Sequence, residues 1–198
     1  MKALMMAAGA AMLLAGCATT AAEDMAEPAA ALDPASPLSA PGYMAMAASS
    51  DMFEIESSRL ALQRSRHPAV RQFAQMMITD HSRTSSEMMA AARELGLQPP
   101  PPGMMPHHME MLDRLRGAAP GEFDMAYKRE QLMAHEEALN LHRNYADQGD
   151  APPFRAVAAR AVPVVQMHWD HARSLPEMTQ VEEPYAPAPT GRRCGERG

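Results

Sequence analysis

The chain has 198 residues, a formal net charge of −6, 46% hydrophobic residues and only two cysteines. It shows no basic cluster, which argues against nucleic acid as a partner, and two cysteines are too few for a disulfide framework. Once the low-complexity ends are set aside, about 135 residues remain, enough for one domain around one core.

The N-terminus reads MKALMMAAGAAMLLAGCATT. Lys2 gives a short positive region, and Ala3 to Leu14 form an apolar run that suits a signal peptide and is short for a membrane span. Leu14-Ala15-Gly16-Cys17 looks like a bacterial lipobox. It implies a signal peptide over 1–16, cleavage before Cys17 and lipidation of Cys17. Ala18 rather than Asp after the cysteine favours the outer membrane. The expectation is thus an exported, periplasmic protein whose membrane partner is reached through the lipid at Cys17. Residues 17–42 are rich in Ala and Pro and read as a tether reaching at most on the order of 75 Å. Residues 179–198, which contain Cys194, read as a disordered tail.

Residues 43–178 form the expected domain. β-branched residues are scarce, and Ala, Met, Leu, Glu, Gln and Arg dominate, a helical composition. Segment one runs from Tyr43 to Ser65. Pro68 suits the first turn of segment two, which ends near Glu94, with Gly96 as its stop. QPPPPG cannot continue a helix. Segment three starts weakly at Pro106, breaks at GAAPG and runs strongly from Glu122 to Gln148. Segment four runs from Pro153 to Met178, and Pro163 inside it removes the hydrogen bond to the Ala159 carbonyl and should kink the helix there. The fold class is all-α, an antiparallel four-helix bundle.

Helical spacing selects inward polar residues. His81 lies on the Val70, Phe73, Met77, Met88 stripe, and His168 on the Phe154, Val157, Ala161, Val165 stripe. His135 shares a face with Tyr127, Gln131, Ala138 and Tyr145. Glu54 is in line with Ala47, Ser50, Ser58 and Ala61. Three inward histidines and a carboxylate are costly to bury unless they pair or share a cation. The set Glu54, His81, His135 and His168 is therefore either a metal site for Zn, Cu or Fe or a metal-free polar network with Tyr127, Gln131 and water. No Asp or Glu precedes a histidine by three residues, so the Glu-x-x-His pairs of di-iron bundles are missing, which argues against an oxidase.

A second candidate is GMMPHHMEML at residues 103–112. Thioether beside imidazole suits copper, and Met104, Met105, His107, His108 and Met111 are the candidate surface ligands. Met105, Met109 and Leu112 fit one stripe of a short helix, which would turn His107 and His108 to water or to the end of the bundle. Methionine is also a common core filler, and this chain has 20 of them.

FEIESSRLAL, VRQFAQMMITDHS, FDMAYKREQLMAHEEAL and RAVPVVQMHWDHARSL occur in this order. They resemble the exported bacterial family called domain of unknown function 4142, over about Met44 to Leu175. The resemblance implies a ferritin-like four-helix bundle outside the cytoplasm and no established activity. Family-typical positions are Glu54, Asp80, His81, Phe123, Asp124, Tyr127, His135, Pro163 and His168. With no nucleophile triad, phosphate loop or zinc-protease motif in the chain, no catalytic residue is assigned. The reading is a non-enzymatic envelope bundle, with a metal-binding protein as the alternative.

Overall fold

A computed structural model describes residues 32–177. The lipobox, Cys17 and Cys194 lie outside the described residues. Five helices follow one another: α1 (Ala40–Arg64), α2 (Pro68–Glu94), α3 (Pro106–Gly117), α4 (Phe123–Gln148) and α5 (Pro152–Ser174). Four of them begin at or next to a proline, whose missing N–H costs nothing in the first turn. Gly96, at φ 65°, ends α2, with Leu97 N–H bonding the Ala92 carbonyl at 2.9 Å. α5 passes through Pro163 without a break.

The pairings fix the topology. Tyr43 meets His142 and Ser58 meets Tyr127, so α1 and α4 are antiparallel. Glu87 meets Arg160 while Phe73 meets His171, so α2 and α5 are antiparallel as well. α4 and α5 run antiparallel too, Lys128 reaching the Leu175 carbonyl and Arg143 reaching Gln166. α1 and α2 form a hairpin across residues 65–67. These four helices make the bundle. α2 and α4 then point the same way, so the link between them must cross its length, the single crossover of a ferritin-like fold.

α3 lies in that crossover, along the flank of the bundle rather than at its end. His108 bonds Ser49 near the start of the groove, Arg64 bonds the Leu115 carbonyl near its finish, and Arg114 grips the fully buried Glu130 of α4 with two hydrogen bonds of 3.1 and 2.8 Å. The stripe expected from Met105, Met109 and Leu112 is therefore rotated. The buried face is His108, Met111, Leu112 and Leu115, and Met109 is 46% exposed.

The tether expectation ends too late. α1 starts at Ala40, capped by Ser39 Oγ, which accepts from Gly42 N–H at 3.1 Å. Residues 33–39 fold back on themselves, and Asp150 N–H bonds the Leu38 carbonyl at 3.1 Å. A Cβ on Gly42 would sit 2.1 Å from the Ser36 carbonyl oxygen, so only glycine allows this return. Pro41 looked like a tether residue because the rest of that stretch is rich in Pro and Ala, yet it occupies the one part of a helix where proline fits.

The core has two large apolar clusters. One centres on Phe53, Phe73, Met77, Leu115, Phe123 and Tyr127, the other on Tyr43, Met44, Met88, Tyr145, Phe154 and Val157. A layer of buried polar residues comes between them. In the second cluster Tyr43 stacks on Tyr145 at 4.0 Å between ring centroids, and its hydroxyl lies 3.0 Å from His142 Nδ1.

Two predictions follow from this packing. A chain of residues 32–177 should unfold cooperatively, and one of residues 43–177 should melt roughly 3–8 °C lower, because it lacks the cap. Equal melting temperatures would contradict a structural role for residues 32–42. Burial holds the pKa of His142 down at about 4. The unfolded chain then binds a proton near pH 6.5 that the folded chain refuses, so stability is full above pH 6.5 and falls as pH drops toward 4. The melting temperature of His142→Gln should depend less on pH in that window than that of the wild type. An equal slope would show that His142 contributes nothing to it.

Candidate metal centre

His81 of α2, His135 of α4 and His168 of α5 are 4%, 0% and 1% exposed. His81 and His135 sit at the middle of their helices and His168 in the second half of α5, and the packing of these helices brings the three rings into one layer. Their centroids form a near-equilateral triangle of 5.8, 5.3 and 5.5 Å. One ring nitrogen of each lies within 4.8 Å of those of the other two.

The opposite nitrogens are anchored. His81 Nδ1–H donates to Asp51 Oδ1 at 2.8 Å, and Ser85 Oγ donates to Asp51 Oδ2 at 2.7 Å. His168 Nε2–H donates to Asp80 Oδ2 at 2.9 Å. His135 Nδ1–H donates to the Gln131 carbonyl at 2.7 Å. In the neutral form each ring spends its proton outward, so each inward nitrogen then presents a lone pair. Those nitrogens, His81 Nε2, His135 Nε2 and His168 Nδ1, are buried and have no hydrogen-bond partner. Each such buried group costs about 1–3 kcal/mol if left alone. Three acceptors cannot satisfy one another, so the arrangement calls for a proton, a cation or a donating water.

The titration behaviour reflects this. Burial and the charge of His81 hold His168 down at about 4, and burial, again with His81, holds His135 well below the usual imidazole range. Burial also opposes charge on His81. There the hydrogen bond and charge of Asp51, with help from Glu54 and Asp80, outweigh it and raise the pKa.

Glu54 is in the same layer but on the far side of His135. Its Oε1 is 3.4 Å from His135 Nδ1, the anchored nitrogen, and its Oε2 has no partner. Burial raises its pKa to about 7. The structure thus brings His81, His135 and His168 into one cluster, with Glu54 beside it. Sequence reasoning missed Asp51, although Ala47, Asp51, Glu54 and Ser58 follow helical spacing. It also missed Ser85, an anchor for that aspartate on the next helix.

The Met/His segment behaves differently. Met111 is 2% exposed inside the first apolar cluster and cannot be a surface ligand, which corrects that expectation. Met104 leans against the same cluster. His108 is buried, with Nδ1 2.6 Å from Ser49 Oγ, while His107 is exposed and pairs with Glu137 at 2.8 Å. Among the described residues no helix is long and apolar enough to cross a membrane.

The sequence profile of the family described as "Domain of unknown function (DUF4142)" matches residues 24–175, and the chain belongs to that family. No curated protein matches it. Among solved structures it is similar to CopM in the Cu(II)-bound form, with TM-score 0.59 and 21% identity over 68% of this chain and 93% of that one. CopM in the Ag-bound form gives 0.57 and 20% over 68% and 93%, and CopM in the Cu(I)-bound form 0.56 and 21% over 66% and 90%. At such identities the likeness shows the helical fold.

Proposed function

We propose that this member of the DUF4142 family is a non-enzymatic metal-binding protein, with one transition-metal ion held by His81, His135 and His168. One observation carries the reading: three buried imidazole lone pairs converge, and each ring is anchored through its other nitrogen. Carboxylate or carbonyl groups behind histidine are the usual outer support of a metal site, since they fix the tautomer and raise ligand basicity. The two aspartates also supply two negative charges behind three neutral rings, which matches a divalent ion. Three imidazoles suit Cu or Zn, and among first-row divalent ions copper binds such ligands most tightly. CopM, similar in fold, has been solved in Cu(II)-, Cu(I)- and Ag-bound forms, which favours copper as well. Iron is the poorest fit, since bridging carboxylates are absent from the triad. So enclosed a site supports holding an ion rather than turning over a substrate. Glu54 adds a neighbouring carboxyl group that balances charge.

We further propose that the protein is exported and lipid-anchored through Cys17, on the strength of Leu14-Ala15-Gly16-Cys17. A Cys17→Ser chain should then take up no labelled palmitate in cells. Continued labelling would refute the anchor.

The metal reading is tested by stripping protein purified without a His-tag and titrating it calorimetrically with Cu(II) and with Zn(II). One equivalent should bind the wild type and be lost in His135→Leu, whose metal-free melting temperature should not fall by much, because a lone pair without a partner has gone. Asp51→Asn should weaken binding by roughly 10–100-fold. If the wild type binds no ion, or His135→Leu keeps the full equivalent, the triad is a water-filled polar network and the protein an envelope bundle without metal.

A further inference from the structure

A second group of donors lies on the flank of the bundle, where α3 crosses the groove between α1 and α4. A cavity of about 260 Å³ opens there, and its wall includes Met46, Met105, His107, His108, Glu137 and Leu141. Three helices build it. Met46 comes from α1. Met105 is the residue just before α3, and its N–H bonds Ser49 Oγ at 2.7 Å, which ties the loop to α1. His108 follows one turn later on the same face, and the same Ser49 oxygen lies 2.6 Å from its Nδ1. Glu137 of α4 holds His107 Nε2 at 2.8 Å. One ligand atom each from His107, His108 and Glu137 falls within 4.8 Å of the others.

These bonds use one nitrogen of each ring and leave His107 Nδ1 and His108 Nε2 for a ligand. His107 and His108 lie ring to ring at 3.9 Å, so two imidazoles share a small volume. Glu137 behind His107 and Ser49 behind His108 again place a polar anchor on the nitrogen away from a ligand. What separates this group from the core triad is sulfur. Met46 and Met105 line the same cavity, and the remaining wall is mostly aliphatic. Thioether with imidazole in an apolar setting selects a soft, weakly hydrated ion and is a poor match for Zn(II), Mg(II) or Ca(II).

We propose that this cavity is a second metal site, specific for a soft monovalent ion of the Cu(I) or Ag(I) class, held by Met46, Met105, His107 and His108 with Glu137 as the orienting carboxylate. It differs from the five residues the sequence suggested in two ways. Met111 is withdrawn into the core, and Met46 and Glu137 are recruited from helices distant in sequence. The site does not depend on the core triad, so either can fail without the other.

The test uses the full chain with both cysteines replaced, Cys17→Ser/Cys194→Ser, in every variant, because a free thiolate would capture the probe, and Ag(I), a redox-stable probe. Equilibrium dialysis counts bound Ag(I) in the wild type, in Met46→Leu/Met105→Leu, in His135→Leu and in the control Met109→Leu, whose side chain is 46% exposed. Met-to-Leu changes conserve volume, and unchanged melting temperatures will show that the fold is intact. One tightly bound Ag(I) is expected in the wild type, in His135→Leu and in Met109→Leu. The double variant should bind it at least about tenfold more weakly and still take up Cu(II) like the wild type. X-ray absorption of the Ag(I) complex should show sulfur and nitrogen together. Undiminished Ag(I) binding in the double variant, loss of binding in His135→Leu, or a spectrum with nitrogen alone would overturn the proposal.

Discussion

Three lone pairs aimed at one point in the middle of a helical bundle are an unstable arrangement unless a proton, a cation or a donating water sits among them. Much of this protein is organised around that constraint. Asp51, Asp80 and the Gln131 carbonyl draw each imidazole proton outward, so the rings cannot turn over to relieve the repulsion. Ser85 in turn holds Asp51. The inward face of α1 carries small residues there, Ala47, Ser50 and Ser58, which leave room for two acidic groups in the layer. The polar layer divides the apolar core into two clusters, and those clusters must hold the bundle together.

That division makes the crossover important. α3 packs along the groove between α1 and α4. Met111, Leu112 and Leu115 add apolar surface to the first cluster, and Arg114, together with Arg129 of α4, neutralises Glu130, a carboxylate with no exposure of its own. A buried carboxylate left unpaired would be strongly destabilising. The same helix brings His107 and His108 to the groove, so one element supports the core and furnishes a second group of ligands.

Much of this was legible in the sequence. The histidine positions follow from the 3.6-residue period, since His81 and His168 interrupt otherwise apolar stripes. Helix starts at Pro68 and Pro106 follow from proline's tolerance of the first turn. Other features were hidden because they depend on packing. Asp51 carries no mark in the sequence that sets it apart from other acids, and only the approach of His81 and Ser85 from α2 gives it a buried role. Met105, Met109 and Leu112 are a sound helical stripe, but which stripe is buried depends on how α3 docks into the α1/α4 groove. Ala40 and Pro41 resembled the low-complexity stretch before them, and the contact between Leu38 and Asp150 joins residues more than a hundred positions apart.

The most direct test of the central claim is a crystal of the stripped protein soaked in Cu(II) and measured on both sides of the copper absorption edge. The account predicts an anomalous peak between His81 Nε2, His135 Nε2 and His168 Nδ1, at about 2.0–2.1 Å from each, as for imidazole on a comparable divalent ion. A map with copper on surface residues only, and ordered water among the three rings, would contradict it.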